Sequence, residues 1–209
     1  MDVNLWLAFA AASTALLIIP GPTILLVLSY ALSQGKRVAV ASASGVALGD
    51  LVAMSASLAG LGALVLASAT AFTVLKWVGA VYLVYMGVKL IRSAHSGGLA
   101  MPDAPEGIRA GAIFWHAAAV TALNPKSIAF FIAFVPQFIR ADAPLAPQFA
   151  VLIGTFVSLA ALNALAYALL ADKLRRTITR PGVVPWLTRI GGGALIGMGI
   201  VTASLRRAG

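Results

Sequence analysis

The chain has 209 residues, 61% of them hydrophobic and only 10% charged, with a mean hydropathy of +0.98 and a formal net charge of +9. Soluble domains carry about a quarter charged residues, so this chain lacks the polar surface needed to face water on all sides. Cysteine is absent and the two histidines, His95 and His116, form no ligand cluster, which excludes disulfides and gives no metal site and no cofactor. The basic residues are scattered between apolar runs without interleaved aromatics, a pattern of membrane topology rather than nucleic-acid binding. Val3–Gly35, Leu51–Leu75 and Ala143–Ala171 contain no acidic or basic side chain, and each exceeds the roughly 20 residues that cross a bilayer as helix. Backbone amides in hydrocarbon need internal partners, so the spans are expected to be helices. The alternation of a barrel strand is not visible.

Six spans are expected in chain order: Leu5–Leu32, Val38–Leu64, Phe72–Ile91, Gly111–Phe138, Leu145–Leu170 and Val183–Leu205. The N-terminus does not read as a cleavable signal, because Asp2 stands where a basic region belongs and the apolar run is too long. The fold class is thus an all-α membrane protein with a single transmembrane domain. Its first repeat covers about 1–95 and its second about 110–209. They are joined by a polar linker over 92–109 that holds Ser96-Gly97-Gly98, Pro102 and Pro105.

Positive charges sort by loop. Lys36 and Arg37 lie in the first loop, Lys89, Arg92 and Arg109 around the third, and Lys173, Arg175, Arg176 and Arg180 in the fifth. The alternate loops and the termini hold only Lys76, Arg140, Arg206 and Arg207. The positive-inside rule then puts both termini on the non-cytoplasmic side of a bacterial inner membrane.

The two halves resemble each other. Leu75-Lys-Trp-Val-Gly79 through Met86-Gly87 aligns without gaps on Leu187-Thr-Arg-Ile-Gly191 through Met198-Gly199. Gly21-Pro22-Thr23 falls opposite Asn124-Pro125-Lys126, and Gly49-Asp50-Leu-Val52 opposite Gly154-Thr155-Phe-Val157. Units of three spans must enter the membrane from opposite sides, which gives a 3+3 inverted repeat.

Three features carry chemistry. Pro20-Gly21-Pro22 sits in the middle of the first span, where missing amides and ring clashes break a helix. A break leaves carbonyls at one half-helix end and amides at the next, with opposite partial charges. Such ends suit the ammonium and carboxylate of an amino acid. Asn124-Pro125 echoes this break in the fourth span. Pro20, Gly21, Pro22, Thr23, Asn124, Pro125 and Lys126 are therefore the candidate substrate-binding residues.

Asp50 is the second feature. It lies thirteen residues beyond Arg37, about 20 Å along a helix, too deep for its short side chain to reach water. It must face a polar cavity, pair with a cation or be protonated, and it is the candidate proton-coupling group. Lys126 is the third, a cation near the middle of the fourth span that could pair with Asp50, hold a substrate carboxylate, or snorkel to the interface. Lys76, Lys89 and Arg189 near span ends read as interfacial anchors. Asn163, Thr155 and Ser29 could line a path or bond between helices, and Tyr82, Tyr85 and His116 read as packing or interfacial residues. Gly45 with Gly49 and Gly193 with Gly197 have the spacing of close helix packing, which also permits a homodimer.

In combination these residues resemble the LysE/RhtB family of bacterial amino-acid exporters, over nearly the whole chain. The similar pieces are Pro20-Gly21-Pro22, Ser33-Gln34-Gly35, Gly45-Val-Ala-Leu-Gly-Asp50, Leu75-Lys76-Trp77-Val-Gly79 with Tyr82-Leu-Val-Tyr85-Met-Gly87, and Leu123-Asn124-Pro125-Lys126. The resemblance implies a plasma-membrane exporter driven by the proton motive force, whose partners are a small amino-acid-like solute, protons and the lipid bilayer. Thr23-Ile-Leu-Leu-Val-Leu-Ser29 looks like the homoserine/threonine/leucine branch, whereas the basic-amino-acid branch usually has Gln-Asn-Ala-Phe there. Neutral substrates are favoured, with export of another metabolite or a toxic ion as the alternative. An intramembrane enzyme or a scaffold is the weaker reading, because no histidine or serine motif accompanies Asp50 and Lys126.

Overall fold

The structure is a computed structural model that describes residues 2–67, 69–93, 107–140, 143–171, 173 and 183–204. Eight α-helices are named here, with no strand among the described residues: α1 (Val3–Ile18), α2 (Pro22–Gln34), α3 (Ala39–Ala67), α4 (Ala69–Ser93), α5 (Ala110–Ala122), α6 (Pro125–Ala133), α7 (Leu145–Leu169) and α8 (Val183–Ser204). Most of the polar linker (residues 94–106), His95, and the arginines at 175, 176, 180, 206 and 207 lie outside the described residues. Pro22–Ala63, Thr73–Ser93 and Leu145–Leu169 are long and apolar enough to cross a membrane, and the bent pair Ala110–Ala122 with Pro125–Phe138 makes a further such stretch.

Around an apolar core that includes Phe9, Phe130, Phe131 and Phe156, burial departs from that of a water-soluble domain. Val74, Trp77, Val78, Val81 and Tyr85 of α4 and Trp186, Ile190, Ile200 and Val201 of α8 are exposed. Asp50, Lys126, Asn124, Thr121, Thr23 and Ser127 are buried. Lipid is as apolar as leucine, so close packing and interhelical hydrogen bonds hold such helices together.

Local sequence fixes the breaks. Ile19 precedes Pro20 and Asn124 precedes Pro125, and both adopt the extended backbone that a following proline imposes (φ −69°, ψ 116° and φ −68°, ψ 111°). The stretches expected as the first and fourth spans therefore divide into α1 with α2 and α5 with α6, and the second pair bends by 45°. Pro22 and Pro125 each take the first helical position, where a missing amide costs nothing. After α2 the chain reverses through a 3-10 turn over Gly35–Val38, and Gly35 has a φ of +72°, a region that favours glycine. A second 3-10 turn, Val135–Phe138, prolongs α6.

Helix directions follow from the contacts. Gly45 lies on Phe114 and Ala117, and Gly49 on Ala118 and Thr121, so α3 and α5 run parallel. The broken pairs run antiparallel to each other: Phe9 meets Phe138 at one end, Thr23 meets Asn124 in the middle, and Tyr30 meets His116 at the other end. Helices α4 and α8 are also antiparallel, and their contacts are reciprocal. Gly87 lies on Gly192 and Ile196, while Gly199 lies on Ala80 and Val84. In the register that matches Gly87 with Gly199, Ala80 matches Gly192 and Val84 matches Ile196, so one contact is the image of the other.

The glycine pairs behave differently. Any side chain at Gly45 or Gly49 would collide with an α5 carbonyl, so that face is used within the chain. Gly193 and Gly197 meet nothing within 4 Å, and α8 packs instead through Gly191, Gly192 and Gly199. One residue rotates a helix face by about 100°, which turns the expected pair outward.

Candidate functional site: two helix breaks beside a buried aspartate and lysine

The breaks meet. The Asn124 side-chain amide donates to the Thr23 hydroxyl at 3.1 Å, and Thr121 donates to the same oxygen at 3.4 Å. Asn124 also caps its own half-helix, its carbonyl oxygen accepting from the Lys126 amide at 3.0 Å. A single asparagine thus holds the start of α6 and ties it to the start of α2. At Gly21, which begins α2, no side chain caps the amides.

Beside this junction lies a small cavity whose walls include Gly21, Thr23, Asn124, Lys126, Asp50 and Asn163. The space open to water centres is about 20 Å³, room for roughly one water and far below an ordinary ligand pocket. The site is therefore closed in this conformation. Of the residues singled out from sequence, Gly21, Thr23, Asn124, Lys126 and Asp50 reach the cavity wall. Pro20, Pro22 and Pro125 do not; they shape the breaks that expose the others.

The carbonyl end of α1 differs from the sequence expectation of a free helix end. All four carbonyls from Leu16 to Ile19 are occupied by side chains. Lys126 Nζ donates to Leu16 at 3.1 Å and to Ile19 at 3.0 Å. Asn163 Nδ2 donates to Leu17 at 3.0 Å, and the Tyr167 hydroxyl to Ile18 at 2.8 Å. A helix terminus in a buried site must be satisfied by neighbours when water is absent, and a cation is the favoured neighbour of the negative end. Lys126 therefore does not snorkel outward. It is only 9% exposed, and its stem runs over Gly21, where an added Cβ would stand 3.2 Å from Nζ.

Asp50 is 2% exposed and lines the same cavity as Lys126. Its Oδ1 has no hydrogen-bond partner among the described residues. Val46, one turn before it, lines the same wall, so this face of α3 is the one turned to the cavity.

Sequence reasoning missed Tyr167, Thr121 and Tyr30. Asn163 and Tyr167 stand four apart in a span without charged residues, a same-face spacing that could have marked them as a pair. Tyr30, which shares a 2.6 Å hydrogen bond with His116, gave no signal, since its partner is 86 residues away.

The family model described as LysE type translocator matches residues 14–205. The chain belongs to the LysE type translocator family. It is 32% identical to a homoserine/homoserine lactone efflux protein of Salmonella typhimurium over 208 residues, all of both chains, and 31% identical to the protein of that name in Salmonella typhi over the same span. An uncharacterized membrane protein of Vibrio cholerae serotype O1 is 32% identical over 206 residues, 99% of this chain and all of that one. No solved structure matches. With the apolar helices, family membership makes this a multi-pass membrane protein of a transporter family.

Proposed function

We propose that this translocator exports neutral amino acids of the homoserine type from the bacterial cytoplasm, in exchange for protons, by alternating access. The observation that carries this reading is the junction of two helix breaks at Thr23 and Asn124, beside a cavity walled by Asp50 and Lys126. Broken helices at membrane depth are the recurrent means by which secondary transporters bind polar solutes, with the half-helix ends serving as partial charges.

Homoserine and its lactone share a primary ammonium, whereas only homoserine has a carboxylate. A site serving both needs its firmest contact at the ammonium. The carbonyl end of α1 supplies acceptors for it, and the uncapped start of α2 at Gly21 supplies donors for a carboxylate or ester oxygen.

Six spans in a 3+3 inverted repeat complete the proposal. Its support is the antiparallel crossing of α4 and α8, with each contact mirrored in the repeat register, and the antiparallel course of the two broken pairs. The basic residues Lys36, Arg37 and Arg109 lie at the Tyr30–His116 end, which by the positive-inside rule is cytoplasmic. Tyr30 with His116 closes that side, and Phe9 with Phe138 closes the other. Asp50 exchanges the proton. The test is efflux of L-homoserine from proteoliposomes loaded with it. Efflux accelerated by acidifying the outside is expected, and no efflux above protein-free vesicles would overturn the reading.

A further inference from the structure

We infer that Lys126 holds the solute's own place: its side-chain ammonium occupies the position that the solute's ammonium takes on the Leu16 and Ile19 carbonyls, and it moves to Asp50 when solute binds. This inference rests on the exporter reading for the identity of the solute, though not for the geometry.

The position is built for an ammonium. Leu16 and Ile19 are the acceptors at the negative end of α1, and each already accepts from Nζ. The neighbouring acceptors, Leu17 and Ile18, are held by the neutral donors of Asn163 and Tyr167. Only the two acceptors held by Lys126 carry a group of the same chemistry as a primary-amine solute. The lysine reaches them because Gly21 has no side chain in its way.

The cavity also offers a second resting place. Asp50 lines it, and Asp50 Oδ1 is a buried carboxylate oxygen without a partner among the described residues. A buried carboxylate is strongly favoured by a nearby cation, and Lys126 is the cation on the same wall. One resident ammonium thus has two anchors. While it sits on the carbonyls, the amine subsite is filled and the cavity is closed. When it turns to Asp50, the carbonyls are free for the solute and both anchors are satisfied. Protonation of Asp50 removes the second anchor, sends Lys126 back and displaces the solute. Solute and proton then exclude each other without touching the same atom.

The solute class follows. A primary ammonium is required and a carboxylate is dispensable, so L-homoserine and its lactone bind, whereas N-acetyl-L-homoserine, which has no ammonium, does not.

Equilibrium binding of L-homoserine to the full-length protein in lipid nanodiscs tests this. K126M keeps the stem and deletes the ammonium. Removing a resident competitor that fills the subsite most of the time should tighten binding about tenfold. D50N should weaken binding, because the lysine loses its alternative anchor, and K126M/D50N should bind as K126M does. A lysine that instead contacts the solute carboxylate predicts weaker homoserine binding in K126M with lactone binding intact, and that result overturns the inference. So does a D50N defect that persists in the double variant, or a lack of homoserine binding by both wild type and K126M. If K126M does not survive solubilisation, K126L, which likewise has no donor, carries the same expectation, and unchanged binding by D50N alone is sufficient to reject the exchange. Tighter binding by K126M with no efflux by wild type would reject the exporter reading and leave this one standing.

Discussion

The amide of Asn124 donates to the hydroxyl of Thr23 across 3.1 Å, and this bond joins residues 101 apart in sequence at the points where their helices are interrupted. Two breaks that would each be a defect alone become one polar junction. Asn124 satisfies the α6 amide with its oxygen and Thr23 with its nitrogen, so truncating this one side chain removes both contacts at once.

Replacement of Asn124 tests that dual role. Asn124→Ala loses a helix cap and a buried cross-break hydrogen bond, and should lower stability by about 1–3 kcal/mol. Asn124→Asp keeps an acceptor for the Lys126 amide and should lose less. Thermal unfolding in detergent reads the order of the two, and equal losses would mean that the cap contributes nothing.

Asp50→Asn should insert normally and lose its response to the proton gradient. In wild type, acidifying the outside at constant internal pH should speed homoserine efflux, because in the proposed exchange protons enter as solute leaves. In the variant the rate should not depend on outside pH. A gradient response as large as that of wild type removes Asp50 from the coupling.

Neighbouring glycines of α8 should give opposite results. Gly192→Val drives a branched side chain into the Gly87 carbonyl and Ile91, overpacking that costs about 1–3 kcal/mol or more. Gly193→Ala and Gly197→Ala meet open space and should leave yield and melting temperature unchanged. A size-exclusion profile and a melting curve of each variant decide it.

The positions of the breaks were legible in sequence because proline acts on the residue before it and on its own amide, both local effects. Asp50 and Lys126 were legible for a different reason: a charge within an apolar run must have a purpose or a partner. What surrounds them was not. The occupants of the α1 carbonyls come from α6 and α7, and no local rule says which helices become neighbours. The expectation of free carbonyls failed at that point, since a buried helix end recruits donors wherever the fold supplies them. The packing expected of Gly193 and Gly197 is not made within the described residues: spacing identifies a face of small residues but not what that face meets.

The narrowness of the central chamber has a consequence for the cell. With space for roughly one water, it cannot hold the unbroken file of molecules along which hydrogen ions hop. For the proposed proton-coupled exporter, that closure would let idle copies sit in the membrane without discharging the gradient.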